Sequence, residues 1–378
     1  GTCWAFASLT AVETSLMPEE KYDFSEDNMV WNSGYFGAQY DGGDYTRAIS
    51  YLASWRGPVL EEDDVYGDGI NNPDAGVVKH VQEAQIIESK NLEAVKKAVF
   101  LYGGVESSLY TSMSYAGERS MYYNDKNYSY CYIGTKKPNH DVVIIGWDDN
   151  YSAKNFNASS NVKNNGAWIV KNSWGANWGK DGYFYMSYED GSLCELVSAT
   201  ASRNPEYSNN YFYDGSSGLT SMKLYEGEKV ANIYKATAGN GKAEQLGEVT
   251  LAAMSGNNSY TIQVYTDLQD SGDPTSGTPA YATPFSCTQS MAGVMTVQIP
   301  KVVIRQNSLY SIVVTNAGNS IVQYCVEASA NYGWCKFEAS VLKGQGFIYY
   351  TDDNSWDDTS IYSRPLTPRI KAHTRTLN

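Results

Sequence analysis

Three residues can perform chemistry together in this chain: Cys3, His140 and Asn172. A thiol attacks a carbonyl well only as thiolate, and a free cysteine titrates near about 8.5, so it needs surroundings that favour negative charge. A helix N-terminus supplies them through unpaired amides and the macrodipole. A neighbouring imidazolium adds to the effect, and the histidine in turn needs an acceptor that fixes its tautomer. Cys3 stands just ahead of Trp4, Ala5, Ala7, Leu9, Val12 and Leu16, whose mostly helical spacing stops at Pro18. His140 follows the turn Lys137-Pro138-Asn139 and opens an apolar run through Val142, Val143, Ile144 and Ile145. Asn172 closes another apolar run and is followed by Ser173-Trp174-Gly175, where an indole can cover a His–Asn bond from water. Each residue alone has a plainer reading: a structural cysteine, a satisfied turn histidine, an Asn-Ser turn. Only the combination, in this order and in these contexts, points to a nucleophile, a general base and an orienting amide.

The elements that would position them fall into two textures. Helices are predicted at the start, over 45–55 (ended by Gly57-Pro58) and over 92–102 (ended by Gly103-Gly104). From about residue 105 the pattern becomes strand-like, with short apolar runs at 141–147, 166–172 and 182–188. Helices first and strands second indicate an α+β domain with segregated halves. Arg203-Asn204-Pro205-Glu206 reads as a linker. Beyond it, Tyr-, Val- and Thr-rich runs at 259–266, 295–304 and 308–315, separated by Gly, Asn, Asp and Pro turns, predict an all-β sandwich. The expected division is therefore 1–204 and 205–378.

Gly-Thr-Cys3-Trp4-Ala5-Phe6-Ala7 resembles the active-site segment of the papain/cathepsin family. Asn139-His140-Asp141-Val142-Val143 and Lys171-Asn172-Ser173-Trp174-Gly175-Ala176-Asn177-Trp178-Gly179 look like its histidine and asparagine blocks, and Asp41-Gly42-Gly43 like its glycine pair. The resemblance spans roughly residues 1–200. It implies a papain-like two-lobed fold and an endopeptidase working through an acyl-enzyme. Cys3 would attack, His140 would move the proton, Asn172 would orient His140, Trp174 would shield the pair and bind substrate, and the backbone of Gly42 and Gly43 would pair with an extended polypeptide. The Cys3 amide would be one oxyanion donor. The family's second donor, a glutamine a few residues upstream of the cysteine, lies outside a sequence that begins two residues before Cys3. Losing such a donor typically costs roughly 100- to 1000-fold in turnover, so weak activity is expected unless it is supplied. Tyr40 stands where the family has a cysteine before its glycine pair, which removes one disulfide, and 148–165 reads as an inserted surface loop. Tyr207 to Gly215 resembles, more loosely, the opening of lectin-like β-sandwich domains that follow some bacterial papain-like peptidases. That implies a bacterial, secreted or cell-surface protein whose second domain binds a glycan or a protein.

Composition narrows the classes. Acidic residues number 42 against 28 basic ones, for a net charge of −14, so a phosphate backbone would be repelled. No apolar run is long enough to span a membrane. Charged residues are sparse at 19%, and 32 Tyr against 10 Phe and 9 Trp suit wet β surfaces. Six cysteines are too few for a disulfide scaffold, and Cys325 and Cys335 are near enough in sequence to close a loop. With three histidines a Cys/His zinc site is not expected, and no cofactor is required. Glu61-Glu62-Asp63-Asp64, Asp148-Asp149, Asp352-Asp353 and Asp357-Asp358 can each supply some of the six to eight oxygens calcium takes, although such runs are usually solvated. Two rival readings keep the fold: a catalytically impaired adhesion or glycan-binding protein, and a cysteine hydrolase of cell-wall peptides.

Overall fold

The computed structural model describes every residue except 36, 216–218 and 334. Two compact units make up the chain, one of residues 1–31, 38–48 and 58–201, the other of 32–37, 49–57 and 202–378.

The first unit opens with α1 (Cys3–Leu16), whose Trp4, Leu9, Val12 and Leu16 are fully buried. Glu26–Asn32 forms α2 and Leu92–Tyr102 forms α4, the latter capped by the Asn91 side chain, while of α3 (Tyr45–Ala53) only residues 45–48 fall in this unit. Its sheet runs in the order β1 (His80–Ile87), β8 (Cys194–Ser202), β2 (Val105–Leu109), β5 (His140–Asp148), β6 (Ala167–Lys171), β7 (Tyr183–Ser187), β4 (Ser129–Tyr130), β3 (Tyr123–Asn124). β5 lies between β2 and β6, and its first five residues are all buried, as a continuous apolar run requires when a strand is covered on both faces. α1 packs across β5 and β2. The 148–165 segment is not a bare surface loop: it carries two short 3₁₀ turns, and Phe156 is buried with Cys131 and Ala167.

In the second unit, strands Ser221–Leu224, Val322–Glu327, Glu244–Ala253 and Ala292–Ile304 form one sheet, joined by Ile370–Thr376 and Asn209–Tyr211. Asn258–Thr266, Leu309–Asn316, Lys229–Lys235, Gly346–Tyr350 and Ser355–Asp358 form the other. Val249, Leu251, Tyr324 and Ile370 from the first sheet share one core with Val230, Ile262, Ile312 and Ile348 from the second, which makes the pair a sandwich. Cys3, Cys131, Cys194, Cys287 and Cys325 are free thiols.

Buried acids in the first unit give it a distinct pH response. Burial pushes the Glu13 carboxyl up to about 7 and Glu26 up to about 8. Both folded values lie above the unfolded ones, so the native state holds extra protons between about pH 4.5 and 8, and stability is lost as pH rises through that window. His140 is shifted down by burial and opposes the trend, but the carboxyls outnumber it. The melting temperature of this unit should fall by about 5 °C or more from pH 5 to pH 8. Calorimetry at the two pH values checks this, and a flat or rising profile would contradict it.

Candidate active site

α1 starts at Cys3 itself. Thr2 caps it through its carbonyl, which accepts from Ala5 N at 3.0 Å and Phe6 N at 3.3 Å, while its hydroxyl turns away to Tyr66 at 2.8 Å. No side chain therefore caps the helix, and first-turn amides are left for the nucleophile. The backbone N–H groups of Asp141, the residue that follows His140, and of Trp4 act on the Cys3 thiol to favour its charged form.

His140 is fixed by its neighbours. Its partner across the β2–β5 ladder is Leu109, and Asn139 is pinned to the end of β2 by bonds with Leu109 O and the Thr111 backbone. His140 Nε2–H donates to Asn172 Oδ1 at 2.8 Å, and the same oxygen accepts from Ser173 N at 2.8 Å. This bond assigns the proton to Nε2 and leaves Nδ1 as the nitrogen free for proton transfer. Trp174 stacks on the imidazole at a centroid separation of 5.1 Å and meets Trp178 edge-on at 5.1 Å. A cavity of about 50 Å³ lined by Phe6, Thr10, Asp141, Asn172 and Ser173 lies between α1 and the ends of β5 and β6.

Gly43 is a glycine by necessity, because a Cβ there would stand 2.4 Å from the Trp4 ring. Gly42 has φ of 101° and its carbonyl accepts from Arg47 at 2.8 Å, while the Arg47 guanidinium lies 4.5 Å from the Trp4 ring centroid. The glycine strip is therefore clamped to the residue next to Cys3.

The electrostatics correct one expectation. A helix start alone predicts a depressed thiol pKa, yet burial and the Asp141 carboxylate outweigh the backbone N–H bonds and push Cys3 up to about 11. Burial likewise pushes His140 below its ordinary value, against the pull of Asn172. Asp141, which sequence reasoning did not single out, sits beside them with its own carboxyl raised to about 7, chiefly by burial. Its signal was an acid set inside an apolar run.

A thiol at a helix start, a tautomer-fixed imidazole and an indole cover are features that suit a cysteine peptidase. The papain family cysteine protease model matches residues 1–203, and the chain belongs to that family; a lectin-like domain model matches 211–374. The clostridial cysteine protease Cwp84 after propeptide cleavage is similar over 100% of this chain and 94% of its own, at 27% identity and a TM-score of 0.85. The cysteine protease and lectin-like domains of Cwp84, a surface layer associated protein of Clostridium difficile, match at 26% identity and 0.84, covering 100% of this chain and 84% of that one. Among curated relatives, the cysteine protease Amb a 11.0101 of Ambrosia artemisiifolia is 29% identical over 191 residues, 49% of this chain and 45% of its own length. A cathepsin L-like proteinase of Fasciola hepatica is 28% identical over 212 residues, 52% and 57% respectively. The chain spans about half the length of these curated relatives.

Proposed function

We propose that the chain is a cysteine endopeptidase that hydrolyses polypeptide through an acyl-enzyme on Cys3. The observation that carries this reading is the 2.8 Å His140–Asn172 bond under Trp174, with Cys3 at the start of the helix that packs across β5. His140 Nδ1 takes the Cys3 proton as sulfur bonds to the scissile carbonyl carbon. The resulting oxyanion is met by the Cys3 amide at the helix start. The imidazolium then gives its proton to the departing amine as the C–N bond breaks, leaving a thioester. Water, deprotonated by His140, releases the acid and restores the thiol. Gly42 and Gly43 offer backbone to the substrate strand, and Trp174 keeps water from the His140–Asn172 bond. The lectin-like unit serves as a contact module for a surface glycan or protein. An exported or surface-attached bacterial setting is supported by the surface-layer association of Cwp84.

Asn172→Ala in the full-length protein should lower kcat/KM about 100-fold while leaving epoxide titration of Cys3 measurable, because it frees the ring to rotate by distances that matter for proton transfer. Turnover of a fluorogenic peptide checks this, and an unaltered kcat/KM would remove Asn172 from the mechanism. Casein and a quenched peptide test the reading as a whole: turnover abolished by a peptidyl epoxide supports it. Glycan binding without turnover by any peptide would overturn it in favour of an adhesion role.

A further inference from the structure

Arg47 ties together four pieces of the first unit that meet beside Cys3. It is 2% exposed, so its guanidinium is a buried charge that has to find its partners inside the chain. Nη1 donates to the Gly42 carbonyl at 2.8 Å, and Nη2 donates to the Val30 carbonyl at 2.7 Å. Val30 lies in the last turn of α2, where carbonyls lack helical partners and attract a cation. The Trp4 ring, one residue after the nucleophile, takes the same guanidinium at 4.5 Å from its centroid. Asp44 fixes the backbone that carries the side chain: its Oδ1 accepts from Thr46 N at 3.0 Å and from Arg47 N at 3.3 Å, capping α3.

The strip is packed against residues on both sides of Cys3. A Cβ on Gly43 would stand 2.4 Å from the Trp4 ring, and one on Gly1 would stand 1.9 Å from Tyr40 O and 3.1 Å from Gly42 N. The Gly42 carbonyl is taken by Arg47, whereas the Gly43 N–H and carbonyl make no hydrogen bond among the described residues. Gly43 therefore keeps both backbone groups open to an added strand. We infer that Arg47 is a positioning residue for peptide binding: by holding the Gly42 carbonyl and lying over Trp4, it fixes where the open Gly43 backbone stands relative to the Cys3 sulfur. This inference rests on the peptidase reading above. Arg47 touches no reacting atom, so it acts on the seating of the substrate strand and leaves the proton transfer between Cys3 and His140 unchanged.

The test compares full-length wild type, Arg47→Met and Arg47→Lys on a quenched peptide and on three copies of it, each N-methylated at one of the three residues before the cleaved bond. Active sites are counted with a peptidyl epoxide, so that misfolded molecules do not distort the rates. In wild type one methylation should lower kcat/KM about tenfold, the loss expected for one backbone hydrogen bond. Arg47→Met keeps the apolar body of the side chain and drops both donors and the charge. It should raise KM about tenfold with kcat changed less than about threefold, and shrink the penalty of that methylation to under about threefold. Carboxymethylation of Cys3 by iodoacetamide, which needs no strip, should stay within about twofold of wild type. Arg47→Lys keeps a cation beside Trp4 and can hold only one of the two carbonyls, so it should fall between the two in KM and in the methylation penalty. A wild-type KM with an undiminished penalty in Arg47→Met would overturn the inference. Equal losses of peptide turnover and of iodoacetamide reaction would also overturn it, by marking Arg47 as purely structural. If Arg47→Met gives no titratable enzyme, Arg47→Lys decides, and an undiminished penalty there overturns the inference. Absence of both titration and turnover in wild type would instead overturn the peptidase reading.

Discussion

Cys3→Ala should abolish peptide turnover, lowering kcat/KM by at least about 10⁴-fold, to the background of the assay. The variant should stay folded, because the half-buried thiol fills little of the core that Trp4, Leu9 and Val12 build on α1. His140→Ala should cost a comparable factor. The decisive comparison is the double variant. Nucleophile and base act as one unit, so Cys3→Ala/His140→Ala should be no slower than either single change. Rates measured against epoxide-titrated wild type check this; independent, additive losses would mean that the two side chains do not share a proton.

The second large effect concerns stability. Asp214 Oδ2 accepts from Lys371 at 2.8 Å and from Arg369 at 3.3 Å, and Arg369 lies 3.9 Å from Glu327, all with side chains at most 6% exposed. Burial already holds Lys371 below the usual lysine pKa, and its ammonium lies 4.5 Å over the Phe212 ring. Removing the shared acceptor leaves two buried cations facing one carboxylate. Asp214→Ala should therefore cost about 3–5 kcal/mol, or roughly 10 °C in the melting of the sandwich unit. Replacing Asp214 and Lys371 together with apolar residues of similar volume should recover most of the loss, since a desolvated pair is close to neutral against a packed core. Thermal melts of the full chain separate the outcomes, and a shift under 2 °C for Asp214→Ala would refute the assignment.

Much of the candidate site was legible because its signals are local. The start of α1 follows from apolar spacing after Cys3, and β5 from an unbroken Val-Val-Ile-Ile run behind His140. Asn172 was visible through the indole-rich block after it. α2 was not visible, because Glu26, Asp27 and Asn28 are buried there and no apolar stripe marks the helix. β1 was missed for a related reason: His80–Ile87 buries only Val81, Ala84 and Ile87, a spacing that does not alternate. The raised thiol pKa follows chiefly from burial, with the Asp141 carboxylate adding to it. The placement of 32–37 and 49–57 with the second unit likewise depends on contacts that no periodicity encodes.

The central claim, that Cys3 is the nucleophile, is tested most directly by mapping a peptidyl epoxide adduct on the folded full-length protein. A thiol held near 11 reacts slowly with a simple alkylator at neutral pH, whereas an epoxide seated in the site draws on His140 for its proton. The adduct should fall on the Cys3 peptide at one equivalent, be blocked by substrate, and vanish in Cys3→Ala. Modification of half-buried Cys194 or Cys287 with Cys3 left intact would contradict the account.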